Sequence, residues 1–456
     1  MEWLLAGLLL ALPMVDNCTP ARWRDPAPES LELLGGTPVN CLLVEAPAWR
    51  AELIAKAHGA GMLVLGAVAS RDLAAARQAL QAGVDGIAAE GPRSAEMAAW
   101  AREHGMTLVE IVPRAELRFD ANVIATYEGL WAGVRIEKDQ TKAQPTGGPW
   151  IETNTGFLSF VRAAARPGAP VWMAHRAPQE PQPVSRYVQA VADAASCGAK
   201  WVLDFDPEFW RRLRGGEEKG RRDWARLVEA MRFLAGHDEA LRWPDAGALV
   251  LVLDERSGGL VSGGIADMIS AKHIPLRIAL PSQLVSLSGE VRTLLTIDPA
   301  SMTAEQREAA RAVARRGATL VNGPAGWKLE LPPPGRITYT DEQVKQLDQI
   351  WREVNSIIGR RNYGVRVFGA PGMLTTLKQA PEDGRMALLL VNYTDYPVEN
   401  ITLHFPFRVQ RVRMITPRGS GTPEVYETEE EGSGIDVARV EELALVTFER
   451  AAQPKR

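Results

Sequence analysis

Cysteine is scarce in this chain of 456 residues, which carries only Cys18, Cys41 and Cys197. An odd number of cysteines at these spacings builds neither a disulfide framework nor a zinc-ligand pattern, so the sequence predicts no metal and no cofactor. Cys41 and Cys197 fall in a predicted strand and at a predicted helix end. Both are expected to be small buried residues.

An excess of positive charge is also absent. Lys and Arg number 52 against 56 Asp and Glu, which gives a formal net charge of −4. This balance argues against nucleic acid or an anionic membrane as the main partner. Tyrosine is sparse too, with seven residues against thirteen tryptophans. Flat indole faces with one N–H donor suit sugar rings, although a place in the core is the expected role of most of them.

Long apolar runs are missing, apart from one at the amino terminus. Trp3–Val15 has the length of a signal-peptide core and precedes a polar segment that contains proline. Residues 1–20 are therefore interpreted as a signal peptide or N-terminal anchor of an exported protein, either periplasmic or extracellular. The alternative is a buried N-terminal helix.

From residue 39 the chain repeats an apolar strand, an alanine-rich amphipathic helix and a glycine that ends the helix. The first four strands are predicted to begin near Val39, Met62, Val84 and Thr107. The next four are predicted at Val123–Glu128, Gly133–Asp139, Pro170–His175 and Lys200–Asp206. Eight strands with intervening helices predict an α/β fold, a (β/α)8 TIM barrel over residues 30–243. The connections that follow the fourth strand are short, so one barrel helix there is expected to be missing or reduced.

Two further domains are predicted after the barrel. Strands and helices alternate over residues 244–330, which indicates a small flavodoxin-like α/β domain. Its glycine-rich loop, residues 257–264, lacks the dinucleotide-binding spacing and a P-loop lysine, so a plain loop is favoured over a phosphate site. A linker and helix over 331–363 lead to short alternating strands, which predict an antiparallel β-sandwich over 364–452.

In TIM barrels the chemistry takes place at the carboxyl ends of the strands. The predicted strand ends carry seven acidic residues, which are Glu45, Glu90, Glu128, Glu137, Asp139, Asp204 and Asp206. Strand alternation puts Arg135, Glu137 and Asp139 on one face, beside a loop that carries Trp150 and Asn154. An active-site floor and a buried ion-pair network are equally good explanations of that face.

Two carboxylates at a barrel mouth can share glycosidic cleavage, one as proton donor and the other as nucleophile or base. Glu137 is the first catalytic candidate, together with Asp204, Asp206 or Glu90. For any single acid, a helix cap or a salt bridge is the alternative role. The predicted substrate-binding residues are Arg135, Asp139, Trp150, Asn154, Trp172, His175, Arg176, Glu45 and Glu128.

Some of these binding roles have simpler alternatives. Trp150 and Trp172 are the preferred stacking platforms, and plain barrel packing is the alternative for Trp172. His175 and Arg176 are expected to bind a sugar hydroxyl or a substrate carboxylate. The alternative for Arg176 is an ion pair with Asp204 or Asp206.

The order of barrel, flavodoxin-like domain and sandwich resembles multidomain glycoside hydrolases of the microbial beta-galactosidase type, as do the short phrases at 320–324 and 388–392. The resemblance implies hydrolysis of an O-glycosyl bond in an oligo- or polysaccharide. It also implies a mouth partly walled by the middle domain or by a second copy in a homo-oligomer. That group carries Asn-Glu at the end of the fourth strand and Glu at the end of the seventh. Here Val109 precedes Glu110, and the seventh strand ends at His175 and Arg176.

Two other classes of function stay open. One is a carbohydrate-binding protein that kept this architecture after losing the acid pair, and it is favoured if every acid at the mouth is paired to an arginine such as Arg114, Arg135 or Arg176. The other is a lyase or aldolase with a Schiff-base lysine. Its strand-borne candidates are Lys138 and Lys200, and Lys200 lies at the wrong end of its strand.

Overall fold

The structure is a computed structural model, and its described residues are 15–137, 140–141, 150–253, 263–324, 327, 340–358, 364–428 and 432–451. The chain divides into two compact units. The barrel unit comprises 1–128, 168–181 and 200–221, and the second unit comprises 129–167, 182–199 and 222–456. Among the described residues, no helix has the length and apolar content needed to cross a membrane.

Eight parallel strands, β1 to β8, form the sheet of the barrel unit and pair in chain order. Their bounds are Pro20–Trp23 (β1), Cys41–Val44 (β2), Leu63–Ala69 (β3), Gly86–Glu90 (β4), Thr107–Val112 (β5), Ile124–Thr126 (β6), Val171–Met173 (β7) and Lys200–Trp201 (β8). A parallel bridge joins Ala21 in β1 to Leu203, just after β8, and the Arg22 N–H donates to the Leu203 carbonyl at 2.7 Å. The sheet is therefore a nearly closed barrel, and the predicted TIM-barrel class is confirmed.

Helices cover the outside of this sheet unevenly. The α-helices of the barrel unit are Ala51–Gly59, Leu73–Ala82, Ala95–Glu103 and Pro207–Arg214, and its 3-10 turns are Val15–Asn17, Pro28–Leu34, Ala46–Ala48 and Arg114–Glu116. Only the turn Arg114–Glu116 lies between β5 and β6, so the expectation of a missing barrel helix in this region is confirmed. Gly66 of β3 allows close packing elsewhere, because a Cβ there would lie 2.6 Å from the Cβ of Ala79.

The inside of the barrel is a packed apolar core. Its buried members are Cys18, Cys41, Leu43, Leu63, Leu65, Ala88, Val109, Ile111, Val123, Ala125, Trp172, Ala174 and Val202. Because side chains alternate along a strand, Val109 and Ile111 point inward and Glu110 between them points outward. The three cysteines are buried and form no disulfide, and the expected burial of Cys41 and Cys197 is confirmed.

The sixth barrel strand was predicted at Gly133–Asp139, and its described residues, 133–137, do not pair with the barrel sheet, so that prediction was wrong. Gly133–Val134 pairs antiparallel with Ile151–Glu152, and Ile136–Glu137 pairs antiparallel with Gln140–Thr141. Alternation is as typical of a hairpin as of a barrel strand, so the pattern alone did not separate them. The strand that completes the eight is β1, whose four residues are all buried and therefore show no alternation.

A parallel sheet with helices lies in the middle of the second unit. Its strands stand in the order Leu276–Ala279, Leu249–Val252, Thr293–Thr296 and Thr319–Asn322, which matches the predicted flavodoxin-like domain. The helices described in this unit are Thr155–Ala164, Val184–Ser196, Asp238–Arg242, Gly263–Ser270, Ala304–Arg315 and Asp341–Ile358. A 3-10 turn lies at Pro281–Ser286, and the helix Glu218–Gly236 begins in the barrel unit and ends in this one. Residues 254–262, which include most of the glycine-rich loop, lie outside the described residues.

Two antiparallel sheets form the predicted sandwich. The first sheet contains Arg366–Phe368, Val398–Phe405, Ser433–Val440 and Val425–Glu427, in that order. The second contains Met373–Gln379, Met386–Asn392, Leu443–Arg450, Val409–Thr416 and Gly419–Gly421. Apolar side chains from both sheets, Phe405 and Leu388 among them, meet in one core. The three-part fold class predicted from the sequence is thus confirmed.

Candidate active site

Arginines and carboxylates gather where the barrel strands end. They are Arg22 in β1, Arg24 just after it, Glu45 after β2, Glu90 at the end of β4, Arg176 after β7 and Asp204 after β8. All six belong to the barrel unit. Because the strands are parallel, their carboxyl ends share one rim, and this rim is where barrel enzymes place their chemistry.

Glu90 is held from two sides. An Nη2–Oε2 distance of 2.9 Å joins it to Arg22, whose side chain is fully buried. Arg176 makes a fork with it, at 3.1 Å from Nε and 3.0 Å from Nη2. Arg22 also donates to the Ala174 carbonyl at 3.0 Å, which fixes the guanidinium against the inside of the barrel. A forked guanidinium–carboxylate contact sets both distance and orientation.

The same chain of contacts continues around the rim. Arg176 donates to Glu45 at 2.8 Å, Arg24 donates to Glu45 at 3.2 Å, and Arg24 reaches Asp204 at 3.0 Å. Asp204 also accepts the N–H groups of Ala177 and Phe205. The six residues therefore alternate in charge, in the order Arg22, Glu90, Arg176, Glu45, Arg24 and Asp204. We name this set the mouth network.

The mouth network keeps its two glutamates ionised. Burial raises the pKa of Glu90, but Arg22 and Arg176 together outweigh burial and leave the pKa below its usual value. Burial likewise raises the pKa of Glu45, and Arg24 with Arg176 brings it below the usual value. Neither carboxyl group holds a proton at neutral pH, so neither can serve as a general acid there.

His175 lies beside this network as a neutral imidazole. Burial lowers its pKa, the hydrogen bond to Tyr127 opposes this, and the cations of Arg114 and Arg22 add to the lowering. Its Nδ1 lies 3.1 Å from the Tyr127 carbonyl, an acceptor, so we assign the ring proton to Nδ1. The Nε2 lone pair is then the acceptor of the ring, which suits a hydroxyl group of a ligand.

Other predicted residues of the barrel unit have structural contacts. Asp206 is fully buried and caps the helix Pro207–Arg214 by accepting the N–H groups of Glu208 and Phe209. Glu128 accepts the Arg114 N–H at 2.8 Å. Trp172 is fully buried in the barrel core, so its ring presents no open face to a sugar.

The remaining candidates lie in the second unit. Trp150 and Asn154 are buried, and the Asn154 amide donates to Asp193 at 2.9 Å. Arg135 lies 3.7 Å from a Glu152 oxygen. Glu137 belongs to the hairpin strand Ile136–Glu137, and nothing is described of its side chain. Asp139 and Lys138 lie outside the described residues.

Arg22 and Arg24 were missed by sequence reasoning, although they are two of the three cations of the mouth network. Both lie in or just after β1, a strand that was not predicted. A signal was available, because Arg22 stands between Ala21 and Trp23 in an otherwise apolar stretch that precedes a repeating barrel. A charge in such a strand needs a buried partner.

In the part of the chain that is described, no His, Cys, Asp and Glu side chains come together in groups of three or more that could hold a metal ion.

No family model matches the chain, and no curated protein matches it. Among solved structures, alpha-L-fucosidase isoenzyme 2 from Paenibacillus thiaminolyticus is 12% identical with a TM-score of 0.57, over 95% of this chain and 100% of that one. An exo-beta-1,4-mannosidase from Opitutaceae bacterium strain TAV5 is 10% identical with a TM-score of 0.43, over 80% and 83%. Only the first score is high enough to compare folds. It confirms the predicted resemblance to glycoside hydrolase architecture at the level of the fold.

Proposed function

We propose that the protein is a glycoside hydrolase that acts on an oligo- or polysaccharide at the mouth of its barrel. The observation that carries the proposal is Glu90, a largely buried and ionised carboxylate at the carboxyl end of a barrel strand. A nucleophile or general base of glycosidic cleavage must be ionised, and the two arginines on Glu90 supply that state. The fold shared with an alpha-L-fucosidase supports a sugar as substrate.

Glycosidic cleavage also needs a proton donor, so Glu90 requires a second group that carries a proton. Glu45 has the wrong protonation state, because Arg24 and Arg176 lower its pKa. Asp204 already accepts in three contacts, with Arg24, Ala177 and Phe205, and none of these contacts receives a proton from Asp204. Glu137 was the first catalytic candidate because of its predicted place at a barrel strand end, and its place in a hairpin strand removes that reason, so its role stays a prediction for the substitution experiment.

A second candidate function is glycan binding without turnover. It is favoured by one observation, that Glu45, Glu90 and Asp204 are each paired to at least one arginine. A network of matched charges can present hydrogen-bonding groups to sugar hydroxyls while no carboxyl group supplies a proton.

The test is hydrolysis of 4-nitrophenyl glycosides, including alpha-L-fucoside, beta-D-galactoside and beta-D-mannoside, together with plant and bacterial polysaccharides. Wild type is compared with Glu90→Gln and Glu137→Gln, which keep the side-chain shape and remove the charge. Glu110→Gln is the matched control, because Glu110 is also a strand glutamate paired to an arginine, Arg93, but points away from the barrel interior.

We expect Glu90→Gln to lower turnover by about 10²- to 10⁴-fold and Glu110→Gln to leave it unchanged. Turnover that survives Glu90→Gln would remove Glu90 from the mechanism. Binding of a glycan by wild type with no turnover on any substrate would reject the hydrolase and leave the second candidate. Loss of turnover in Glu137→Gln would add Glu137 to the catalytic residues.

Export is proposed as well, on the apolar run Trp3–Val15, most of which lies outside the described residues. Expression in a bacterial host with mass measurement of the mature amino terminus tests it. A shortened chain outside the cytoplasm supports export, and a full-length cytoplasmic chain contradicts it.

A further inference from the structure

One outer face of the sandwich carries a row of exposed rings. Phe368 and Tyr426 are 41% and 36% exposed, and His404 lies between them. The ring centroids of Phe368 and His404 are 5.1 Å apart, and those of His404 and Tyr426 are 6.5 Å apart. Large exposed aromatic rings in a row are unusual on a surface without a binding role.

The strand register explains why these rings share a face. Arg366 stands opposite His404, His404 opposite Gly434, and Gly434 opposite Tyr426. The next row on the same face, two residues along each strand, places Phe368 opposite Thr402 and Thr402 opposite Asp436. Two adjacent rows of one sheet therefore present all the rings together.

Gly434 is needed for this surface. A Cβ at residue 434 would lie 2.3 Å from two ring carbons of Tyr426, so the ring covers the glycine and lies against the sheet. The Tyr426 hydroxyl is 3.3 Å from Asp436, which also accepts the Thr402 hydroxyl at 2.9 Å. The hydroxyl end of the ring is thus fixed over the glycine, and the Tyr426 side chain stays partly exposed to solvent.

The charges of the face select the kind of ligand. Arg366 lies 5.0 Å from the Phe368 ring centre, and Asp436 is the acid of the same face, so one cation balances one anion. At the edge, Arg408 and Glu427 pair at 3.1 Å. Charge complementarity therefore favours an uncharged ligand. Rings that alternate with hydroxyl, imidazole and carboxylate groups suit a molecule with apolar ring faces and many hydroxyls.

We propose that the face formed by Arg366, Phe368, Thr402, His404, Gly434, Asp436 and Tyr426 binds a neutral glycan chain, separately from the barrel mouth. The rings of Phe368, His404 and Tyr426 contact successive sugar rings, and Thr402 with Asp436 binds their hydroxyls. The choice of a glycan rests on the proposed function, whereas the location of the face does not.

Affinity electrophoresis of the full chain tests this in native gels that contain xylan, glucomannan or galactan, with polygalacturonate as an anionic comparison. The variants are Phe368→Ala, Tyr426→Ala and the double variant. Tyr396→Ala is the matched control, because Tyr396 is a 60% exposed tyrosine on a turn of the same sandwich. Turnover of 4-nitrophenyl glycosides and the monomer–dimer state by light scattering are measured in parallel.

We expect a neutral polysaccharide to retard wild type and Tyr396→Ala equally, and the double variant to bind it about tenfold more weakly. Turnover of the small substrates should be the same in all of them, so failure of this face and failure of the barrel site are distinguishable. Equal retardation of wild type and double variant, or no retardation of wild type, would overturn the proposal. A dimer that the double variant converts to monomer, without a change in retardation, would identify the face as an interface between copies.

Discussion

Removing Glu90 and removing Arg22 should have unequal effects on the stability of the barrel unit. Glu90→Leu leaves the Arg22 guanidinium fully buried, with the Ala174 carbonyl as its remaining hydrogen-bond partner and with the more distant Asp204 as a counterion. Arg22→Met leaves Glu90, which is 21% exposed, with both hydrogen bonds from Arg176. The buried charge that loses its counterion is therefore the arginine, and the cost falls mainly on the glutamate variant.

The size of the asymmetry follows from these contacts. Breaking a buried ion pair by removing one partner costs about 3–5 kcal/mol, which we expect for Glu90→Leu. Arg22→Met removes the contact with Glu90, whose hydrogen bonds from Arg176 persist, and the hydrogen bond to the Ala174 carbonyl, so we expect about 1–3 kcal/mol. The double variant removes both charges, and its free energy of unfolding should lie within about 1 kcal/mol of wild type.

Hydrogen exchange measured by mass spectrometry over a urea series is the suitable assay, because it reports on peptides from β1 and β4 separately from the second unit. A double-mutant cycle then gives the coupling between the two residues. The reasoning fails if Arg22→Met is as destabilising as Glu90→Leu. It also fails if the losses of the two single variants add in the double variant.

Three further outcomes are expected. The pKa of Glu90 is lowered in the folded state, so its contribution to stability is complete above the usual pKa of 4.5 and is lost as the pH falls through the lower pKa of the folded state. Acid unfolding, followed by hydrogen exchange in β4, should show this loss in wild type and not in the double variant. Asp193 is fully buried and accepts the Tyr393 hydroxyl at 2.7 Å, so Tyr393→Phe should destabilise the second unit by about 1.5–3 kcal/mol in urea unfolding, and no change would contradict that role. Gly66→Ala should cost about 1–3 kcal/mol in the barrel unit, since its Cβ would lie 2.6 Å from that of Ala79, and an unchanged melting temperature would show that the helix can shift.

Most of the fold could be predicted because its signals are local. Thr303 and Gln306 form a capping box, a pattern readable in the sequence, at the start of the helix Ala304–Arg315, and the helix Val184–Ser196 ends just before Gly198. The wrong strand shows the limit. Gly133–Val134 pairs with Ile151–Glu152 across a loop, and that partner is set by tertiary contacts that periodicity does not report.

The candidate site was less predictable than the fold. Glu45, Glu90, Arg176 and Asp204 were all named from strand ends, because parallel strands bring those ends together whatever the loops do. Their pairing was not predictable. The arginines of β1 decide it, and a four-residue strand buried on both faces gives neither a helical nor an alternating signal.

The alternating order of the mouth network changes how each of its charges should be judged. Every interior member of the network touches two opposite charges, so a single substitution changes the surroundings of both neighbours. Arg176 helps to keep Glu90 ionised, and the same arginine also donates to Glu45. A ligand that takes one hydrogen bond from Arg176 would therefore weaken its hold on both glutamates at once. Their pKa values would then rise, because burial alone raises them. Glu45, which is ionised in the empty site, can in this way approach the protonated form that a general acid requires once a sugar is bound, while the fully buried Arg22 still holds Glu90 as a carboxylate.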